Sequence, residues 1–134
     1  MDPNAQQPPA ATPKRILIVE DERFIGELYE RALSKAGYQI TVITDGPEGL
    51  KAAQTNQYDI ILLDLMIPNL TGIEILRILR DKEQTPELKA KVIVATNLEQ
   101  REDVRADIER QADGYIVKAD LTPKELVEVL SHIK

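Results

Sequence analysis

The sequence predicts an α/β domain in which a doubly wound parallel sheet is covered by helices on both faces. Short apolar runs rich in β-branched residues alternate with longer segments of helical periodicity. The apolar runs show no polar–apolar alternation, which is typical of strands buried on both sides. With 134 residues, 43% of them apolar, the chain has enough apolar material for one folded domain. Right-handed crossovers then place helices on both sides of the sheet.

The predicted strands are the five apolar runs. They are RILIV at 15–19, QITVI at 39–43, DIILLD at 59–64, KVIVAT at 91–96 and GYIVK at 114–118. Ahead of them, residues 1–13 are rich in proline and hold no aliphatic residue larger than Ala after Met1. We expect these residues to form a disordered N-terminal tail or linker, either natural or an added leader. The domain is therefore expected to span residues 14–134.

The first two helices are predicted from apolar spacing and from their end signals. The first covers residues 22–36, followed by Gly37 as a left-handed cap. Its expected buried stripe is Ile25, Leu28, Ala32 and Ala36. Gly46 and Pro47 are expected as the N-cap and first turn of the second helix, which runs to about Asn56.

The third and fourth helices differ in how firmly they should be held. The third has an expected buried stripe through Ile73, Leu76 and either Leu79 or Arg80. Ile75 and Ile78 are interleaved with this stripe and make the apolar face broad. The fourth, over residues 99–111, is charged nearly all round and has only two apolar residues to anchor it. We therefore expect a fourth helix that is weakly held and able to move. A helix whose polar face is simply solvated fits the same residues equally well.

The last helix has the clearest start in the chain. Thr122 and Glu125 have the spacing of a capping box, and Pro123 occupies the first helical position. His132, the single histidine, lies near the end of this helix with no carboxylate at an activating spacing. We expect His132 to be exposed and without a role in chemistry.

The composition excludes several classes of function. A net charge of −6 and a pI near 4.9 leave no basic surface suited to DNA or RNA phosphates. The chain has no Cys, so disulfides and thiolate chemistry are excluded. The apolar runs are too short for a membrane span or a signal peptide. We expect a cytoplasmic protein that binds neither nucleic acid nor membrane.

Polar residues follow four of the predicted strands. Glu20 and Asp21 come after the first, and Asp64, Thr96 and Lys118 end the third, fourth and fifth. The carboxyl ends of parallel strands share one edge of the sheet, so these side chains should converge. Any one of them alone would be uninformative, but three carboxylates in one crevice repel each other and exceed the single ammonium. Carboxylate and backbone oxygens are the ligands of Mg²⁺, which we expect to complete the site.

The same residue types indicate phosphoryl chemistry. A carboxylate beside Mg²⁺, with an ammonium and a hydroxyl to hold the surrounding oxygens, can attack phosphorus and form an acyl phosphate. Asp64 is the expected nucleophile because it ends the most apolar strand, at the centre of the cluster.

Four motifs, in order and spacing, resemble the receiver domain of two-component response regulators. They are VEDE at 19–22, LLDLMIP at 62–68, VAT at 94–96 and GYIVK at 114–118. The resemblance covers residues 14–134, and single-domain receivers of the chemotaxis type are the most similar in length. It implies a flavodoxin-like (βα)5 fold with strand order 2-1-3-4-5.

The resemblance also implies roles for individual residues. Asp64 would accept a phosphoryl group from the phosphohistidine of a sensor histidine kinase or a phosphotransfer protein. Asp21 and the main-chain carbonyl of Met66 would bind Mg²⁺ together with Asp64, and Glu20 would act through a water. Lys118 would pair with Asp64 and then with a phosphoryl oxygen.

The resemblance also implies that two further residues transmit the effect of phosphorylation to the surface of the domain. Thr96 would turn its hydroxyl toward the phosphoryl group, and Tyr115 would follow by rotating inward from solvent. The face made by the fourth helix, fifth strand and fifth helix would then bind a downstream protein or a second copy of the chain. Such a domain is a signalling phosphoacceptor rather than an enzyme, with at most slow autophosphatase activity.

The sequence departs from the family pattern at a few positions. Ala119 follows Lys118 where the family usually has a cis proline, and a cis bond before Ala costs about 3 kcal/mol. We expect either a trans bond with a rearranged loop or a strained cis bond. Asn97 is larger than the usual residue beside the switch threonine and should crowd the entrance. Met66 and Leu98 are apolar where they could shield an acyl phosphate, or they simply pack at the rim.

Two other functions remain open from the residues. A phosphate-independent binding module with the same fold is favoured by Asn97 and Ala119 but disfavoured by the intact set of acidic residues, Thr96 and Lys118. A Mg²⁺-dependent phosphohydrolase would need a second Asp as general acid where Met66 stands, so it ranks last. Since the printed chain ends after the fifth helix with no output domain, both a standalone regulator and a receiver cut from a longer protein are compatible with it.

Overall fold

The computed structural model describes residues 14–97 and 100–133, in which strands and helices alternate along the chain. The strands are β1 (Arg15–Val19), β2 (Gln39–Ile43), β3 (Ile60–Asp64), β4 (Lys91–Thr96) and β5 (Gly114–Val117). The helices are α1 (Arg23–Lys35), α2 (Gly46–Ala53), α3 (Gly72–Arg80), α4 (Glu102–Gln111) and α5 (Pro123–Ser131). All strand pairs are parallel, in the order β2-β1-β3-β4-β5. The predicted fold class and strand order are confirmed. The expected tail at residues 1–13 lies outside the described residues.

The sheet separates two apolar cores. On β1, Ile16 and Ile18 face the core shared with α1 and α5, whereas Leu17 and Val19 face the core shared with α2, α3 and α4. Every residue of β3 is buried, so both of its faces are covered. This burial is the physical reason why the strands are uniformly apolar rather than alternating.

Helix α1 ends as the sequence predicts but is rotated relative to the predicted stripe. Gly37 has a φ of +103°, and the amide of Tyr38 donates to the carbonyl of Leu33 at 3.1 Å, as in a Schellman cap. The expected stripe was wrong by about one position. The fully buried residues are Gly26, Tyr29 and Leu33, whereas the predicted stripe is at best half-buried and Ala36 is exposed.

The start of α2 corrects a second expectation. Gly46 is the first helical residue rather than the N-cap, and Asp45 is the cap, because its carboxylate accepts from the amide of Glu48 at 3.0 Å. An aspartate cap satisfies a free amide of the first turn, which a glycine has no side chain to do. The helix ends at Ala53, before the predicted Asn56, which takes a left-handed conformation with φ 57°.

The remaining helices follow their local signals. Helix α5 has the predicted capping box of Thr122 and Glu125. Helix α3 has a second capping box, Thr71 with Glu74, which was not predicted. Its fully buried apolar residues are Ile75, Leu76 and Leu79, and Ile73 is only half-buried. Helix α4 buries a single residue, Ile108. Among the described helices, none is long and apolar enough to cross a membrane.

The chain turns sharply after β5. The strand ends at Val117, one residue before the predicted end, and Lys118–Asp120 form a 3₁₀ turn. No peptide bond of residues 14–97 and 100–133 is cis. Of the two alternatives expected for the Lys118–Ala119 bond, the structure therefore has the trans bond.

Gly72 packs directly against the end of β3, which makes its substitution costly. A Cβ atom there would lie 2.2 Å from the carbonyl oxygen of Asp64 and 2.7 Å from the Cα of Leu65. Both contacts are to backbone that cannot rotate away, so we expect Gly72→Ala to lower the free energy of unfolding by about 3 kcal/mol. Urea denaturation measures this loss. Gly37→Ala is the comparison, because a Cβ there meets no atom within 4 Å and the positive φ alone should cost about 1 kcal/mol. Equal losses in the two variants would contradict the packing argument.

Candidate functional site

Three carboxylates meet at the carboxyl ends of the two central strands. Glu20 and Asp21 directly follow β1, and Asp64 ends the neighbouring β3. One oxygen of each carboxylate lies within 4.8 Å of one from each of the others. Glu20 and Asp64 are each only 2% exposed, whereas Asp21 is exposed. The arrangement forms a carboxylate cluster with a buried floor and one side open to solvent.

Lys118 reaches this cluster from the end of β5. Its ammonium donates to Oε1 of Glu20 and lies 3.1 Å from Oδ2 of Asp64. The pairing with Asp64 matches the expected contact. The pairing with Glu20 was not foreseen, because the two residues lie 98 positions apart and no sequence spacing signals it. Lys118 is itself only 8% exposed, so the site contains a buried ion network rather than a surface salt bridge.

Burial sets the protonation of these groups. Removal from water raises the pKa of Glu20 to about 7, the nearby Asp64 adds to the rise, and Lys118 opposes it. Burial alone would lower the pKa of Lys118, but the two carboxylates more than offset this, and the Lys118 pKa lies above its ordinary value. The ammonium therefore stays charged at neutral pH, while the carboxylates outnumber it.

The backbone after β3 completes the setting of Asp64. The amide of Met66 donates to Oδ1 of Asp64 at 3.1 Å, so the Met66 peptide lies beside the carboxylate. The Met66 side chain is 68% exposed. The neighbouring loop is tied down by Asn69, whose side-chain amide donates to Oδ1 of Asp45 at 3.0 Å.

The donor set of the cluster fits a hard divalent cation. Three carboxylates offer oxygen ligands, and the site contains no thiolate or imidazole that would favour a softer metal. The exposed Asp21 gives a hydrated ion a route to the buried oxygens. Burial is the main cause of the raised pKa of Glu20 and the nearby Asp64 adds to it, so a cation bound there would offset the part that comes from Asp64.

Thr96 is the buried hydroxyl of the site. It ends β4, is 1% exposed and accepts from Nε2 of Gln100 at 3.4 Å. Its neighbour Ala95 pairs with Asp64 across the sheet, which places Thr96 just beyond the cluster on the adjacent strand. Asn97 is exposed at this rim, and Leu98 lies outside the described residues.

Tyr115 lies on β5, and its ring contacts Arg105 of α4. The guanidinium of Arg105 sits 4.6 Å from the centroid of the Tyr115 ring, a cation–π geometry. In this structure the Tyr115 hydroxyl is already buried, so the side chain does not start from the solvent-facing position that the resemblance implied. The same two residues and Val129 line an open cleft of about 320 Å³.

One residue of the site was missed by sequence reasoning. Tyr29 of α1 is 8% exposed and lines the small space behind the cluster with Glu20, Asp64 and Lys118. Burial raises the pKa of its hydroxyl; Lys118 opposes the rise and the two carboxylates add to it. The spacing of Tyr29 and Leu33 along α1 is the signal that could have found it. His132, by contrast, is exposed as expected.

The sequence is similar to known proteins over nearly its whole length. A family model for the response regulator receiver domain matches residues 16–131. The response regulator ArlR of Staphylococcus saprophyticus is 39% identical over 120 residues, which are 90% of this chain and 50% of that protein. ArlR of Staphylococcus aureus is 37% identical over 120 residues, 90% of this chain and 51% of that protein. The chain thus spans about half the length of the curated relatives it matches.

Solved structures show the same likeness. The chemotaxis protein CheY4 of Vibrio cholerae has a TM-score of 0.76 at 26% identity, covering 92% of this chain and 100% of that one. A CheY-like receiver domain protein from Methanospirillum hungatei has a TM-score of 0.75 at 28% identity, covering 90% and 92%.

Proposed function

Because this chain belongs to the family of response regulator receiver domains, we propose that it is a signalling module switched by phosphorylation of Asp64. The observation that carries the proposal is the buried contact of Lys118 with Asp64 inside a cluster of three carboxylates. Glu20 and Asp64 are buried, so bulk solvent does not screen their charges on the buried side of the cluster. The excess of carboxylates over ammonium groups favours a bound cation. A phosphoryl group brought there would meet a nucleophile, a cation site and an ammonium at once.

The proposed reaction is transfer from a phosphohistidine of a sensor histidine kinase or a phosphotransfer protein. A carboxylate oxygen of Asp64 bonds to phosphorus as the P–N bond breaks, and the electron pair leaves with the imidazole nitrogen. Lys118 then holds a phosphoryl oxygen. Asp21, Asp64 and the Met66 carbonyl would hold Mg²⁺ in this reaction, with Glu20 as an indirect ligand, and the bound ion would neutralise part of the phosphoryl charge.

The switch we propose runs from Thr96 to the outer face. New phosphoryl oxygens offer an acceptor to the Thr96 hydroxyl, whose resting contact with Gln100 is long at 3.4 Å. Movement of Thr96 changes the space available to the Tyr115 ring and the contact of that ring with the guanidinium of Arg105. Helix α4 buries only Ile108, so it is packed weakly enough to shift when Tyr115 and Arg105 move.

The partner surface in this proposal is the face of α4, β5 and α5. Its cleft of about 320 Å³ is lined by Arg105, Tyr115 and Val129, so a change at Tyr115 alters the shape of the surface itself. A downstream protein or a second copy of the chain would bind there. We place the module, residues 14–134, in the cytoplasm, where a kinase of a two-component system would phosphorylate it.

Intact-mass measurement with a small-molecule phosphodonor tests the proposal. We expect one phosphoryl adduct that forms only with Mg²⁺ and is removed by hydroxylamine, as an acyl phosphate is. Circular dichroism on the same sample shows that the protein is folded. A folded protein that forms no adduct with Mg²⁺ present would refute phosphoacceptance and favour the phosphate-independent binding module.

The lifetime of the adduct is expected to depend on Met66. An apolar side chain at the open rim of the site gives a hydrolytic water no hydrogen-bonding partner, so self-dephosphorylation should be slow. Met66→Asn places an amide there that can hold a water, and we expect it to shorten the lifetime of the adduct several-fold. The substitution leaves the amide that donates to Asp64 in place. Decay of the adduct followed by mass spectrometry measures the effect, with Phe24→Asn, at another exposed apolar residue, as control. An unchanged lifetime would show that the Met66 side chain does not control water access.

A further inference from the structure

We propose that a basic cleft at the opposite end of the sheet binds a nucleoside polyphosphate. The cleft has a volume of about 520 Å³ and lies at the amino ends of β1, β3 and β4. It is therefore remote from the carboxylate cluster, and the inference does not depend on the proposed function. The volume falls within the range of about 300–1,000 Å³ that small-molecule sites occupy.

The charge of this cleft is opposite to that of the whole chain. Its lining includes four cationic residues, Lys14, Arg15, Lys89 and Lys91, and one carboxylate, Asp59, in a protein of net charge −6. Oδ2 of Asp59 already accepts from the amide of Arg15 at 2.8 Å. A local excess of positive charge in an acidic protein attracts anions, and an excess this large favours an anion with several charges.

The cations of the cleft are available to a ligand. Lys89 and Lys91 are exposed, and within residues 14–97 and 100–133 none of the four cations forms an ion pair with a carboxylate. Lys14 donates from Nζ to the carbonyl oxygen of Ile133 at 2.9 Å, which leaves two of its three N–H groups for other acceptors. Phosphate oxygens are strong acceptors for such ammonium and guanidinium donors.

The walls that carry the cations are fixed before any ligand binds. Asn56 donates from its side chain to the carbonyl of Glu87 at 2.7 Å and accepts from the amide of Lys89 at 3.1 Å. The amide of Lys91 donates to the carbonyl of Asp59 at 2.9 Å. These bonds join the segment before β4 to the loop before β3. A ligand would therefore meet ordered backbone, which lowers the entropic cost of binding.

The nucleoside part of the proposal rests on the aromatic wall. The guanidinium of Arg15 lies 5.4 Å from the centroid of the Tyr58 ring, and Ile133 adds apolar surface to the lining. A planar base can stack on the guanidinium or the ring while its phosphates reach the lysines. An inorganic polyphosphate would use the lysines alone.

Titration with ATP tests the inference on the full 134-residue chain. The buffer contains EDTA, so that the carboxylate cluster holds no metal. We expect saturable binding to one site by calorimetry, with amide shifts in NMR spectra confined to Lys14, Arg15, residues 56–60, residues 89–91 and Ile133. Lys89→Gln with Lys91→Gln should weaken binding at least about ten-fold, because two charge-assisted hydrogen bonds are lost.

The controls separate a site from general charge attraction. Lys51→Gln with Lys124→Gln makes the same change of charge at two exposed lysines outside the cleft, and we expect it to leave ATP affinity unchanged. Tripolyphosphate should bind more weakly than ATP. Lack of saturation into the millimolar range, or equal losses in the two double variants, would overturn the site. Equal affinity for tripolyphosphate and ATP would overturn the recognition of a nucleoside.

Discussion

Asp64→Asn is expected to abolish the Mg²⁺-dependent phosphoryl adduct completely. The amide has the shape of the carboxylate but neither its negative charge nor its nucleophilic oxygen, so it cannot form an acyl phosphate. The Asn side chain can still accept from the Met66 amide, as Asp64 does at 3.1 Å. Intact mass after incubation with a small-molecule phosphodonor and Mg²⁺ measures the loss.

The matched control is Asp59→Asn, at the other end of the same strand. Asp59 directly precedes β3 and is exposed, and we expect its variant to form as much adduct as the parent chain. Loss of the adduct in Asp64→Asn should not result from unfolding of the variant. Removing one of two close buried carboxylates relieves repulsion on Glu20, so the urea midpoint of Asp64→Asn should not fall. An adduct that persists in Asp64→Asn would assign the acceptor to another residue.

Lys118→Met is expected to cause the largest loss of stability among exchanges in the site. Its ammonium is the cation paired with Glu20 and Asp64, and side chains of all three are at most 6% exposed. Removing one partner leaves buried charge without compensation, which costs about 3–5 kcal/mol. Met keeps much of the length and volume of the Lys stem, so cavity formation contributes little. Urea denaturation in metal-free buffer measures the difference, with Lys124→Met on the exposed start of α5 as control.

Two further measurements identify the cause of this loss. Adding Glu20→Gln to Lys118→Met removes one of the uncompensated carboxylates and should recover part of the stability. Mg²⁺ should stabilise Lys118→Met more than the parent chain, because the cation takes over the charge that the ammonium supplied. A loss equal to that of Lys124→Met, or no recovery in the double variant, would show that the ion network does not hold the site together.

Local signals were sufficient for most of the fold. The five strand positions came within one residue of the structure, because uniformly apolar runs occur where a strand is covered on both faces. The start of α5 was correct since a capping box is a contact between neighbours in sequence. The N-cap of α2 was predicted wrongly because two neighbouring residues both fit the local pattern. Asp45 and Gly46 are both acceptable N-caps, and only the contact with Glu48 decides between them.

The faces of the helices were predicted less well than their positions. The stripe of α1 was placed on Ile25 and Leu28, whereas the structure buries Gly26 and Tyr29. Both stripes have helical spacing. The choice between them depends on how the helix is rotated against the sheet, which is a property of the packed domain.

The sequence by itself determined the fold class, the strand order implied by family resemblance, and the set of polar residues at the strand ends. These follow from patterns that repeat along the chain and from the rule that parallel strands end at one edge. The tertiary structure alone decided that Lys118 pairs with Glu20 as well as Asp64, that Tyr29 lies behind them, and that four cations meet at the other end of the sheet. Interactions of this kind join residues far apart in the chain, and their energies depend on distance and burial, which exist only once the domain has folded.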